Sequence, residues 1–262
     1  MKSPSLIKYT TSSDTRKNLL YKLAADPMSL TEIREHFHVT SSTIIPRIKD
    51  LVKLDLVAKE NGKYRLTTTG MILSKKLRMM DQLEGVIEKD GQFLNEHDLS
   101  PIPVKLLDRI DELGDCKVIK NELEHITATH DRIYTNIPNS KYVLGISPAL
   151  NPAYPEFYLA MVKQGMQVSL ILTENVFKTV ERDYSSFLKA YLSYDNAKMY
   201  VTNEARIALV VTDRFMSMYL YGKNGTLDPM SSLLSFDTSA VNWGAELFEA
   251  YLKKSKKIKR LV

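Results

Sequence analysis

The chain has 262 residues, 44% of them hydrophobic and 26% charged, an ordinary globular balance with length for one large or two ordinary domains. No uncharged apolar run approaches the roughly 18 residues of a membrane span, and the opening MKSPSLIKYTTSSDTRKN lacks the apolar stretch of a secretory signal. The single cysteine, Cys116, excludes an intrachain disulfide and a cysteine-based zinc site, and a reducing cytoplasm is expected.

The net charge of +5 is unevenly spread. Residues 1–80 carry 15 basic against 7 acidic side chains, residues 81–252 carry 15 against 24, and the last ten carry six basic and none acidic. A basic head on an acidic body directs the head at a polyanion. In that head, Ser13 or Asp14 caps a first helix bearing Leu19, Leu20 and Leu23, and Asp26-Pro27 stops it. Ser29 caps a second helix, Leu30 to Phe37, with Glu32 in capping-box position. After the turn His38-Val39-Thr40, a third helix runs from Ser41 or Ser42 to Leu54, with Ile44, Ile45, Ile48, Leu51 and Val52 at helical spacing. Pro46 falls near its first turn, where a missing amide proton matters little. Two short strands then flank Asn61-Gly62, a strong hairpin signal, and Thr67-Thr68-Thr69-Gly70 leads into a further helix.

Helix, helix, tight turn, helix, hairpin is the order of a winged helix-turn-helix. The third helix offers Thr40, Ser41, Ser42 and Thr43 to phosphates or base edges, with Arg47 and Lys49 reaching further. Lys59, Lys63 and Arg65 decorate the hairpin, where a wing touches the sugar-phosphate backbone. The alternative reading of the same residues is a small helical domain with a solvated basic surface. The run from Leu30-Thr31-Glu32-Ile33 through Val39-Thr40-Ser41-Ser42-Thr43-Ile44-Ile45-Pro46-Arg47-Ile48-Lys49-Asp50-Leu51 to Leu54-Asp55-Leu56-Val57 resembles the ArsR-like winged-helix domain of archaeal regulators. The resemblance makes the helix beginning near Thr40 a recognition helix. The Cys-Val-Cys-like motif of metal sensors is missing, so metal sensing does not carry over.

Residues 71–94 continue as a helix with Leu73, Leu77, Met80 and Ile87 near heptad spacing and Ile72, Met79, Leu83 and Val86 beside them, either a dimer helix or one packed on its own domain. His97-Asp98-Leu99-Ser100-Pro101-Ile102-Pro103, followed by Leu106-Leu107, Ile110 and Leu113-Gly114, reads as a turn, a proline-started helix and a stop. This pattern resembles the effector domain of archaeal regulators linked to methanogenesis and filament control, and the likeness extends over most of residues 5–255. It implies a transcription factor and leaves operator and signal open.

The rest alternates between strand and helix. Strands are expected at 142–146, 167–172 and 198–201, a hairpin pairs 207–211 with 215–221, and helices are expected at 152–164, 174–191 and 240–254. This half resembles a single phospholipase D-like repeat used as a sensor. Set on Asp213, the His-x-Lys-x4-Asp motif of the nucleases puts Arg206 at the nucleophile and Ala208 at the lysine. An arginine stays protonated and does not attack phosphorus, so no catalytic role is expected. The fold expected is therefore α+β: a winged helix-turn-helix over 1–80, linker or dimerisation helices over 81–118, and a mixed α/β effector domain over 119–262.

Small molecules bind open α/β sheets past the carboxyl ends of strands. A pocket for a small polar or anionic metabolite is expected near Ser147, Tyr154, Tyr158, Thr173 and Arg206, with Arg206 pairing an anion. Alternatively the tyrosines are half-buried core and Arg206 bridges a local carboxylate. His36 and His38 lie at the helix-turn-helix turn, His125 and His130 make at most half a metal site, and neither a metal nor another cofactor is expected. The lysine-rich end from Lys253 is either a nucleic-acid contact or a solvated terminus. Three readings stand: a dimeric DNA-binding regulator with a ligand-sensing domain, an interaction adaptor whose winged helix binds protein, and an enzyme with a winged-helix accessory, which would need machinery the sequence lacks.

Overall fold

The computed structural model describes residues 5–120 and 136–259. The chain divides into two compact units, residues 1–82 and 83–262.

The first unit contains helices α1 (Leu6–Thr11), α2 (Asp14–Leu23), α3 (Leu30–Phe37) and α4 (Ser41–Lys53), and the start of α5 (Thr68–Glu96). A small antiparallel sheet completes it, ordered β1 (Met28–Ser29), β3 (Lys63–Leu66), β2 (Val57–Glu60). The local chemistry sets each boundary. The Ser29 hydroxyl accepts the Glu32 amide proton while Glu32 returns to the Ser29 amide, closing the capping box. His38 ends α3 in the left-handed conformation, at φ 51°. Pro46 lies inside α4 at its sixth position, with the helix unbroken around it. Leu19, Leu20, Ile33, Ile44, Ile48, Leu51, Leu56 and Leu77 form the core, each almost wholly buried. Ile45 and Val52, counted on the buried stripe of α4, lie at its margin, and Val52 is exposed.

In the second unit one sheet of eight strands runs in the order β11-β7-β6-β5-β8-β9-β10-β4. These are β4 (Lys117–Lys120), β5 (Tyr142–Ser147), β6 (Gln167–Thr173), β7 (Ala197–Thr202), β8 (Ile207–Thr212), β9 (Met216–Leu220), β10 (Ser231–Ser235) and β11 (Lys256–Lys257). Neighbours β5, β6 and β7 are parallel, and every other pairing is antiparallel. Alternation along the strands sorts side chains onto two faces. Ile146, Ile171, Ile207, Leu209 and Val211 enter a core with the second half of α5, the short helix α6 (Val104–Leu107) and α10 (Thr238–Leu252). Val143, Val168, Leu170, Leu172 and Met199 enter another with α7 (Tyr154–Lys163), α8 (Glu174–Asp183) and α9 (Ser185–Leu192). Helices on both faces explain why central strands read as nearly continuous apolar runs.

Of the segment 81–118, expected as linker or dimerisation helices, residues 83–118 fall in the second unit. Val86, Phe93, Ile102, Leu106, Leu113 and Cys116 are buried in its core, and 117–120 is an edge strand. The apolar spacing along α5 reports which positions are hydrophobic and not what they meet. The lysine-rich end is also partly structured, since Lys256 and Lys257 pair with Val201 and Tyr200 at the opposite edge. Among the described residues no helix is long and apolar enough to cross a membrane.

Candidate functional site

The first unit gathers its exposed polar groups around the start of α4 and the β2–β3 hairpin. Thr40 precedes α4 in extended backbone, and its hydroxyl lies 2.9 Å from those of both Ser42 and Thr43. Thr40, Ser42 and Thr43 are exposed and Ser41 is partly so, and no acidic residue occupies the first turn. A helix start of this kind presents amide protons and a partial positive charge. Arg47, one turn on, donates to the Thr43 carbonyl at 2.5 Å, and Lys49 is exposed.

The hairpin turns at Asn61-Gly62, where φ is 49° and 79°. Both residues sit in the left-handed region that a two-residue turn with the native strand twist requires. Lys59, Lys63 and Arg65 are exposed. They are not equally available. Arg65 forms a two-pronged ion pair with Glu60 across the hairpin, raising the guanidinium and lowering the Glu60 carboxyl from their ordinary values. Lys63 lies 3.7 Å from Glu32. The Lys59 ammonium lies 5.4 Å from the centre of the Tyr64 ring. Arginine and lysine counts alone do not reveal such partners, although Glu60, five residues before Arg65 across a tight turn, was a legible one.

In the second unit a cavity of about 270 Å³ opens between the sheet and α7, α8 and α9, at the carboxyl end of β5. Ser147, Tyr154 and Tyr158 line it as expected. Thr173 and Arg206 do not. Thr173 shares its parity on β6 with Ile171, which belongs to the opposite face. The Arg206 guanidinium sits 3.1 Å from the Asp98 carboxylate and 5.7 Å from the centre of the Tyr221 ring. Arg206 thus stands outside the cavity wall and takes the local carboxylate that was the alternative reading for it, while the wall itself is largely aliphatic and aromatic. The Ser147 hydroxyl donates to the Ala149 carbonyl at 2.6 Å, and that of Tyr191 to the carbonyls of Val168 and Lys198, each at 3.1 Å. Burial pushes the Tyr158 and Tyr191 hydroxyls well above their ordinary pKa and that of Tyr219 up to about 12.

The residues set against the phospholipase D motif are spread along β8. Arg206 precedes the strand, Ala208 lies on it and in the cavity wall, and Asp213 follows it, accepting the Lys141 amide proton at 2.8 Å. Sequence reasoning missed a role for His97 and Asp98. His97 is 6% exposed, with Nδ1 2.7 Å from the Phe93 carbonyl and Nε2 3.1 Å from Asp228. His97 thus ties the end of α5 to the loop after β9, and Asp98 ties it to Arg206 just before β8. His125 and His130 lie outside the described residues. Among the described residues no group of three His, Cys, Asp or Glu side chains is arranged to hold a metal ion.

Comparison with solved structures gives distant likenesses. TrmBL2, an archaeal chromatin protein with a novel mode of DNA binding, is 14% identical over 97% of both chains at a TM-score of 0.45. Nuc, a phospholipase D family member from Salmonella typhimurium, is 9% identical over 55% of this chain and 99% of that one, at 0.42. Both are too distant to carry an argument. The methanogenesis regulatory protein FilR1 of Methanothrix harundinacea (strain 6Ac) is 26% identical over 259 residues, and the chain spans 58% of that protein's length. Residues 5–84 match the N-terminal domain of the methanogenesis regulatory protein FilR1, and residues 126–254 its middle domain. Two domains of one family, in order and together spanning most of the chain, place this protein in the FilR1 regulatory family.

Proposed function

We propose that the chain is a transcription regulator that binds duplex DNA with its first unit. The observation that carries the reading is the joint exposure of the α4 start, with Thr40, Ser42 and Thr43, and of the basic hairpin two elements later. A helix of this width fits the major groove, and a cationic β-ribbon beside it meets the flanking phosphates. The ArsR-like resemblance and the family name point the same way. In this reading Thr40, Ser41, Ser42, Thr43, Arg47 and Lys49 face the groove, Lys59, Lys63 and Arg65 face the backbone, and the protein works in the cytoplasm.

The second unit acts as an effector domain on a phospholipase D-like scaffold, with no catalytic step of its own. Arg206 and Ala208 at the positions of the nucleophile and its lysine support that. Two copies act together, because winged-helix regulators commonly read paired half-sites. The exposed Ile72, Met80 and Ile87 of α5, at 61%, 58% and 56%, support a helix that pairs with a second copy.

The test is fluorescence anisotropy with duplex DNA from upstream of the protein's own coding region, titrated with salt. Saturable binding that weakens steeply with salt is expected. The double variant Arg47→Glu, Lys63→Glu should lose it while keeping the parent's circular dichroism. Binding that survives both reversals overturns the reading. One observation favours the interaction adaptor: Lys63 and Arg65 already hold carboxylates, and a basic hairpin neutralised in this way suits a protein partner.

A further inference from the structure

The wall of the cavity on the α7–α9 face sets what it can accept. Among the described residues that line it there is no lysine, arginine, histidine, aspartate or glutamate. Asp228, which lies in sequence between lining residues Leu227 and Pro229, turns instead to His97. A charged molecule seated here would lose its hydration with no opposite charge to replace it, a loss that an apolar wall does not offset. The polar side chains at the wall are neutral, the Asn151 amide and the hydroxyls of Ser147 and four tyrosines, and burial keeps the hydroxyls of Tyr158 and Tyr219 protonated. Natural cores are close-packed, so a cavity of about 270 Å³ is unlike an ordinary packing defect. An apolar cavity of about 150 Å³ accommodates one benzene, which scales to a ligand of about ten to twelve non-hydrogen atoms.

Access also has a place in the fold. Ala149 and Pro229 line the cavity and are both exposed, marking a rim between the loop after β5 and the loop before β10. This is the carboxyl edge of the parallel strands, where α/β sheets take their ligands.

We propose that this cavity is the binding site of the second unit for a neutral, predominantly apolar molecule of that size carrying at most a hydroxyl or carbonyl. The proposal rests on the effector-domain reading and changes its ligand from a polar or anionic metabolite to an apolar one.

The test is isothermal titration of the full chain, without DNA, with 2-naphthol, octan-1-ol and the charged counterparts naphthalene-2-sulfonate and octanoate. Saturable one-site binding is expected for at least one neutral probe, with its charged counterpart at least tenfold weaker. Ala208→Leu fills the interior and should weaken the neutral probe at least tenfold. Ala149→Trp adds bulk at the exposed rim and should weaken it in the same direction. Equal binding of a charged counterpart, no saturable binding of either neutral probe, or unchanged binding in both folded variants overturns the proposal. Because no DNA is present, a chain that takes naphthol and fails to bind any duplex sinks the regulator reading and leaves the cavity standing. The converse result sinks the cavity alone.

Discussion

The His97 imidazole and the Asp228 carboxylate meet at 3.1 Å although 131 residues separate them in the chain. Asp228 also accepts the Met230 amide proton at 2.7 Å and the Ser231 hydroxyl. Burial alone would raise this carboxyl, but Ser231, Met230 and His97 together hold it below the ordinary value of 3.8. A folded pKa below the unfolded one gives stability that is present above the unfolded value and is lost as pH falls through the folded one. Asp228→Ala should cost about 1–3 kcal/mol near neutral pH by removing the acceptor shared by His97, Met230 and Ser231. Its melting temperature should also fall less steeply than the parent's on acidification below the unfolded pKa. Thermal melts across that range check both, and parallel pH profiles would show that the contact contributes nothing.

The one thiol is predicted to be inert. Cys116 is fully buried, and its sulfur donates to the Asp90 carboxylate at 2.9 Å. Burial first, and Asp90 second, push the thiol far above its ordinary value, and the thiolate is the reactive form. A chromogenic disulfide reagent should modify the native protein at least about 100-fold more slowly than the denatured protein. Comparable rates would place Cys116 at the surface.

The Glu60–Arg65 pair gives a prediction of opposite sign for nucleic acid. Both side chains are about half exposed, so the pair adds little to stability. Glu60→Gln should leave the melting temperature nearly unchanged, release Arg65 to phosphate and tighten duplex binding. Lys59→Ala should weaken binding and lower the slope of log K against log salt by about 1. Weaker binding by Glu60→Gln would mean that Arg65 does not face the backbone.

Two glycines in the first unit should respond differently to alanine. A Cβ on Gly62 meets nothing within 4 Å, so only its φ of 79° resists, costing about 1 kcal/mol. A Cβ on Gly70 would stand 2.0 Å from the Leu56 carbonyl oxygen, a backbone atom that cannot swing aside. Gly70→Ala should destabilise the unit by several times as much, about 3 kcal/mol or more. Denaturant melts of the two variants rank them, and equal losses would contradict the close approach of α5 to Leu56.

Local chemistry is what the sequence determined by itself. The capping box at Ser29 and Glu32, the Asn61-Gly62 turn, the α4 helix and most strands of the second unit were readable, because each depends on residues within a few positions of one another. So was the placement of Ser147, Tyr154 and Tyr158 at the carboxyl edge of a strand. The tertiary structure decided the rest. The edge strands β4 and β11, and the serine-rich β10 beside β4, are short, so they exist through pairing with distant partners rather than through propensity. Whether Arg206 met a ligand or a carboxylate, and whether the cavity wall carried charge, depended on which groups the fold brought together. A formal charge is written in the sequence, but its partner is chosen by the fold, and in a desolvated interior the partner determines what that charge can bind.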